Sequence, residues 1–254
     1  MTGIKALNNS RLPENKVKYV IMSGRYKGMV DTLDRFEVKA IPTTPTTDLD
    51  ERVSDHADML FNYFGNNRGI IHKSQYKIAE LLNDLGLCIT YGDELSEKYP
   101  FDCRYNFLIA NNNLIIGKKV KSEILSKLSH RYNVVKVNQG YVACNVVSVA
   151  ENAFITTDRS IYKFLSSIGS DCCLVGSKGT SLPGYDCGFI GGCCGKISKD
   201  VMAFTGKVSL HPDFNVIKSF LKKYDVDILE LTSMPLTDIG GIIPVIESRT
   251  IELL

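Results

Sequence analysis

The sequence has no surplus of charge of either sign and no long apolar run. Thirty Lys and Arg against 28 Asp and Glu leave a formal net charge of +2, too weak a field to gather nucleic acid or an anionic membrane surface. No stretch of about 18 apolar residues occurs, and the segment Met1 to Lys18, although it carries Lys5 and Arg11, lacks the apolar core of a secretion signal. The expectation is a protein that stays in the cytoplasm and meets a small molecule, with neither nucleic acid nor membrane as partner. Cysteine pairs at metal-binding spacing are missing too: Cys172-Cys173 and Cys193-Cys194 are adjacent, so two sulfurs cannot grip one ion as a two-residue gap allows. In Gly191-Gly192-Cys193-Cys194-Gly195-Lys196 the glycines lack the four-residue gap of a phosphate loop, and Ile197 stands where Ser or Thr is needed. No metal or cofactor is expected. The eight cysteines, several inside apolar runs such as Leu87-Cys88-Ile89, are read as reduced thiols.

What the chain does have is repetition. Its 254 residues, 44% apolar, can fill one core, and we read one domain over residues 1–254 with 1–16 as a loose N-terminal segment. Short apolar runs alternate with amphipathic stretches of helical length, an α/β pattern. The order strand, strand, helix, strand then recurs. The first unit runs from Asp55 through strands Met59 to Phe64 and Ile70-Ile71, a helix near Ser74 to Leu85 stopped by Gly86, and strand Leu87 to Tyr91. The second opens at Asp102, with strands at Asn106 to Ala110, Leu114 to Gly117 and Asn133 to Val137 and a helix near Lys121 to Ser129. The third opens at Cys144, with strands Val146 to Val149, Ala153 to Thr156 and Asp171 to Val175, and a helix near Ser160 to Ile168 capped by Asp158. The fourth opens at Asp186, with strands Gly188 to Gly192, Val201 to Thr205 and Asp227 to Leu231 and a helix from Phe214 to Lys223. These openings lie about 42 to 47 residues apart, a spacing typical of repeated supersecondary units. A strand Ile239 to Ile246 after Asp238, joined to N-terminal elements at Val17 to Met22, Met29 to Arg35 and Phe36 to Ile41, makes a fifth unit. A ring closed in this way by both chain ends leaves no open sheet edge.

The pattern resembles the pentein fold, an α/β propeller of five strand-strand-helix-strand units around a pseudo-fivefold axis, over roughly Lys16 to Glu247. The strings Asp55-His56-Ala57-Asp58, Gln139-Gly140-Tyr141-Val142-Ala143-Cys144-Asn145, Gly188-Phe189-Ile190-Gly191-Gly192 and Leu236-Thr237-Asp238-Ile239-Gly240-Gly241-Ile242-Ile243-Pro244 are similar to those of a bacterial family assigned to that fold. The resemblance to arginine and agmatine deiminases, dimethylarginine hydrolases and amidinotransferases implies a cysteine nucleophile, a histidine and carboxylates that hold a guanidinium. In those enzymes the cysteine lies in the last unit. Here the matching stretch Asp238 to Val245 contains none. Other pentein proteins use the ring for binding alone, so fold by itself does not choose the activity.

Equivalent positions of a closed ring face one centre, which would gather Asp55, Asp58, Asp102, Cys144, Asp186 and Asp238 into one funnel. Convergent carboxylates suit a cationic ligand, although aspartates at strand starts also cap turns. Asn106 joins the ligand-contacting set. Cys144 is the candidate nucleophile, with His56 or His211 to move protons, on a guanidino or related cation. Against this, Cys144 can equally be a small packed residue, and His211, before Pro212-Asp213, can simply begin a helix. The activity expected is a cysteine-dependent hydrolase or amidinotransferase; the alternative is a non-catalytic pentein that binds a small molecule or a protein.

Overall fold

The computed structural model describes residues 3–249, in which sixteen of eighteen strands build five repeating sheets and the other two pair in a small sheet of their own. The chain begins with β1 (Ile4–Ala6), β2 (Val17–Ser23), α1 (Lys27–Arg35) and β3 (Lys39–Thr43). A first complete unit follows: α2 (Ala57–Leu60), β4 (Phe61–Gly65), β5 (Arg68–Ile71), α3 (Tyr76–Asp84) and β6 (Cys88–Tyr91). The next has β7 (Leu108–Ala110), β8 (Asn113–Gly117), α4 (Glu123–Leu128) and β9 (Asn133–Val137), and the third α5 (Val142–Asn145), β10 (Val146–Ala150), β11 (Ala153–Thr156), α6 (Arg159–Ser167) and β12 (Asp171–Leu174). After β13 (Thr180–Ser181) come β14 (Cys194–Lys196), β15 (Val201–Phe204), α7 (Phe214–Lys223), β16 (Asp227–Glu230), β17 (Leu236–Thr237) and β18 (Ile243–Ser248).

Every unit has one pairing rule. The first strand runs antiparallel to the second and the second parallel to the third, as in β4-β5-β6, β7-β8-β9, β10-β11-β12 and β14-β15-β16. The parallel pair needs a crossover, which the helix supplies. In the fifth sheet β18 from the C-terminal end pairs antiparallel with β2, and β2 parallel with β3. The helices end where the sequence says they should: Gly86 and Gly169 sit at φ +89° and +83°, the left-handed region that ends a helix without Cβ strain, and Asp158 accepts from the Ser160 and Ile161 amides at 2.7 and 2.9 Å.

Five apolar cores lie between neighbouring units. One joins Phe61 and Ile71 to Ile21, Ile243 and Val245; the next joins Leu60 and Ile70 to Leu114 and Ile116. A third packs Leu108 and Ile115 on Val146 and Phe154, a fourth Val147 and Ile155 on Met202 and Phe204, and the last Ala203 on Val20, Met22 and Leu33. The fifth unit thus touches both the fourth and the first.

The N-terminal segment departs from expectation. Instead of lying loose, β1 pairs with β18 in the register Ile4 with Ser248, Leu7 is fully buried, and the Glu14 and Asn15 amides donate to Glu247 at 2.7 and 2.8 Å. Its apolar residues cover β18, which sequence period alone does not reveal. Residues 1 and 2 of that segment lie outside the described residues. Two strand starts also move. Residues 57–60 form a helical turn ahead of β4, and Ile190–Cys193 form a 3-10 turn where a strand over Gly188 to Gly192 is predicted. Among the described residues no helix is long and apolar enough to cross a membrane.

Candidate functional site

The turns that open the units interlock. The Asp58 amide donates to the Gly240 carbonyl (3.1 Å), the Val142 amide to that of Asn106 (3.2 Å), and the Ile239 and Gly241 amides to that of Gly192 (both 3.0 Å). Such close approach demands glycine. A Cβ on Gly192 would overlap the Asp238 carboxylate, and one on Gly240, itself at φ +78°, would lie 2.5 Å from the His56 Cβ.

These turns and their flanking loops enclose a cavity of about 290 Å³ lined by His56, Asp102, Cys144 and Asp238, with Met59, Val53, Leu182 and Cys187 beside them. Tyr99, Tyr141, Tyr185 and Phe189 form an aromatic wall, and Asp50 and Glu97 also face it. Tyr141 stands between Tyr99 and Phe189, each ring centroid 6.0 Å from its own, and is stacked on Phe189 at 28°.

Asp238 accepts from the Phe189 and Gly240 amides at 2.8 and 3.0 Å. Burial pushes its carboxyl up to about 6, with the nearby His56 pulling it back and the charge of Asp58 adding to the rise. His56 Nδ1 is 3.8 Å from Asp238 Oδ1, and burial holds the imidazole below its ordinary value. Asp102 accepts from the Tyr141 hydroxyl at 2.5 Å and is likewise raised by burial.

Cys144 lines the cavity and is buried. Its Sγ accepts from Asn106 Nδ2 at 2.8 Å, its amide donates to Asn106 Oδ1 at 3.1 Å, and the same Nδ2 reaches the Asp58 carbonyl at 3.2 Å. Burial pushes the thiol well above its ordinary value, and the charges of Asp58 and Asp238 push the same way. At neutral pH it is therefore a thiol, not a thiolate. Asp58 is completely buried with neither carboxyl oxygen in good hydrogen-bond geometry, and burial raises it too.

The structure thus brings Cys144, His56, Asp102 and Asp238 to one cavity, with Asn106 and Asp58 directly behind Cys144. Three predicted residues are elsewhere. Asp55 is buried outside the cavity lining, held by Arg25 Nε at 2.9 Å and the Ser23 hydroxyl at 2.5 Å, because a buried carboxylate takes the nearest cation. Asp186 lies exposed in the loop between β13 and β14, since that unit's strand starts at Cys194 rather than beside it. His211 is buried ahead of α7, its Nδ1 accepting from the Asp213 amide at 3.0 Å, and does not reach the cavity. His56 lies against Asp238, and among the described residues no hydrogen bond joins it to Cys144. Sequence reasoning missed the aromatic wall, Cys187, Asp50 and Glu97. Tyr141 and Phe189 lay inside strings already singled out, so adjacency to a unit opening was an available signal. Among the described residues no group of three or more His, Cys, Asp or Glu is arranged to hold a metal ion.

Solved structures that superpose on the chain include amidinotransferases and an agmatine deiminase, members of the pentein fold. An inosamine-phosphate amidinotransferase from Streptomyces griseus superposes with a TM-score of 0.57 at 14% identity, over 97% of this chain and 98% of that one. An amidinotransferase of the saxitoxin biosynthetic pathway from Microseira wollei gives 0.55 at 11% identity, over 91% and 92%. An agmatine deiminase from C. jejuni gives 0.53 at 10%, also over 91% and 92%. At such identities the likeness establishes the fold alone. No curated protein matches the sequence. The profile of a family of unknown function (DUF6873) matches residues 21–243, and the chain belongs to that family.

Proposed function

We propose that the five units close into a ring about a pseudo-fivefold axis, a single domain over residues 1–254, and that its central cavity binds a small guanidino or related cation. The five shared cores, in which the fifth unit meets the first, support the ring. The observation that carries the ligand reading is the pairing of two buried carboxylates, Asp102 and Asp238, with an aromatic wall inside one cavity. Carboxylates accept the N–H groups of a planar cation, and ring faces attract its charge. The amidinotransferases and the agmatine deiminase that share the fold support the same class of ligand.

Calorimetric titration of the full chain with methylguanidine tests this. Saturable binding is expected, weakened roughly ten- to a hundredfold in Asp238→Asn, the size of one lost charge-assisted hydrogen bond. Absence of saturable heat, or equal affinity in the variant, overturns it.

A second reading, a cysteine-dependent hydrolase or amidinotransferase, is favoured by one observation: Cys144 opens onto the same cavity. Attack of Sγ on the guanidino carbon would form a C–S bond and expel an amine that carries off the thiol proton. Water, or an acceptor amine, would then displace the sulfur. The thiol is protonated and contacts Asn106 rather than a histidine, so binding stands first and attack would depend on a bound cation lowering the thiol's pKa. An amidino adduct on Cys144 seen by mass spectrometry, absent in Cys144→Ser, would establish the second reading.

A further inference from the structure

Of the acids that line the cavity, Asp50 alone is met by a lysine or arginine among the described residues. Among the described residues lining it there is no lysine or arginine, whereas Asp50, Glu97, Asp102 and Asp238 all face it. The guanidinium nearest the rim is already engaged: Arg52 meets Asp50 at 2.7 Å, donates to the Gly184 carbonyl at 2.7 Å and lies 4.2 Å above the centre of the Tyr185 ring. Arg25 is held by Asp55, and Lys119, 5.8 Å from the centre of the Tyr99 ring, is outside the lining. Glu97, exposed at the lining, makes no ion pair or side-chain hydrogen bond within the described residues.

A ligand carrying a carboxylate would have to desolvate it in this setting with no cation to receive it, beside carboxylates that repel it. From this we infer that the ligand is a guanidino or amino cation that bears no carboxylate: an amine-type rather than an amino-acid-type substrate. The inference rests on the cation reading above and sharpens it to a class.

Agmatine and arginine differ by the carboxylate alone, so the full chain titrated calorimetrically with each isolates that group, and arginine methyl ester restores the missing neutrality at similar size. Agmatine should bind at least about tenfold more tightly than arginine, with the ester close to agmatine. Glu97→Lys should narrow the gap by weakening agmatine and strengthening arginine. Arginine binding as tightly as agmatine overturns this inference and leaves the cation site standing; failure of all three to bind overturns both.

Discussion

At Cys144 and its neighbours, burial and charge act together, and each effect has a measurable sign. The buried thiol should alkylate with iodoacetamide far more slowly than the exposed Cys88 near neutral pH, as site-by-site mass spectrometry would show. Cys144 labelling as fast as Cys88 would contradict the protonated thiol. Asp238, pushed up to about 6 by burial, must be ionised to hold a cation. Affinity for methylguanidine should therefore be highest above pH 6 and fall by up to about tenfold per unit below it, with proton release on binding near pH 6. Asp58 offers a stability test. Its carboxyl is raised by complete burial; above about pH 4 the unfolded chain ionises it while the native state resists, so rising pH withdraws stability until the folded value is passed. Asp58→Asn removes that loss, and its Tm should gain on the parent as pH rises from about 4. Sequence reading placed Cys144, Asn106, Asp58 and Asp238 together because each stands at or beside the opening of a unit, and the structure sets them in or directly against one cavity. It misplaced Asp55, Asp186 and His211, whose partners Arg25, solvent and the Asp213 amide come from three-dimensional proximity or from a shifted strand start.

Among the elements, those set by local chemistry were the most legible. The boundaries of α7 (Phe214–Lys223), β9 and β11 coincide with the apolar pattern, and Asp158 caps α6 as its position suggests. Asp158→Ala should cost about 1 kcal/mol in urea unfolding, the usual size of a lost N-cap. The unit openings were less legible because an apolar run such as Met59 to Phe64 reads alike as strand or as turn followed by strand. What bends residues 57–60 into a turn is the bond from the Asp58 amide to the Gly240 carbonyl, some 180 residues away along the chain. The same cross-chain fit makes Gly192 irreplaceable: in Gly192→Ala the methyl meets the Asp238 carboxylate. We expect that variant to lose cation binding along with stability, whereas Gly86→Ala, where no atom lies within 4 Å of the added carbon, should cost only the strain of a left-handed helix end and leave binding intact.

For the whole molecule, the fifth sheet ties the chain's ends into one structure. β18 provides its first strand, β2 and β3 the next two and β1 the edge beyond β18, and the cores on either side reach into the first and the fourth units. Removing residues after Ile242 would take away β18 and uncover Ile21, Phe61 and Ile71 in one of those cores, a loss no remaining strand can cover. The truncated chain is expected to lose cooperative unfolding altogether. A ring also predicts the opposite result for a cut elsewhere. Because Ile4 pairs with Ser248, the two ends of the described segment lie side by side and can be joined by a short Gly-Ser linker, while new ends are opened between Ser177 and Lys178, in an exposed loop between the third and fourth units. Such a permutant keeps every strand pair and every core, and exposed loop tips tolerate new termini. It should unfold in a single calorimetric transition within a few degrees of the parent and keep its affinity for methylguanidine. Two separate transitions would show that the units form more than one cooperative body and would overturn the closed ring.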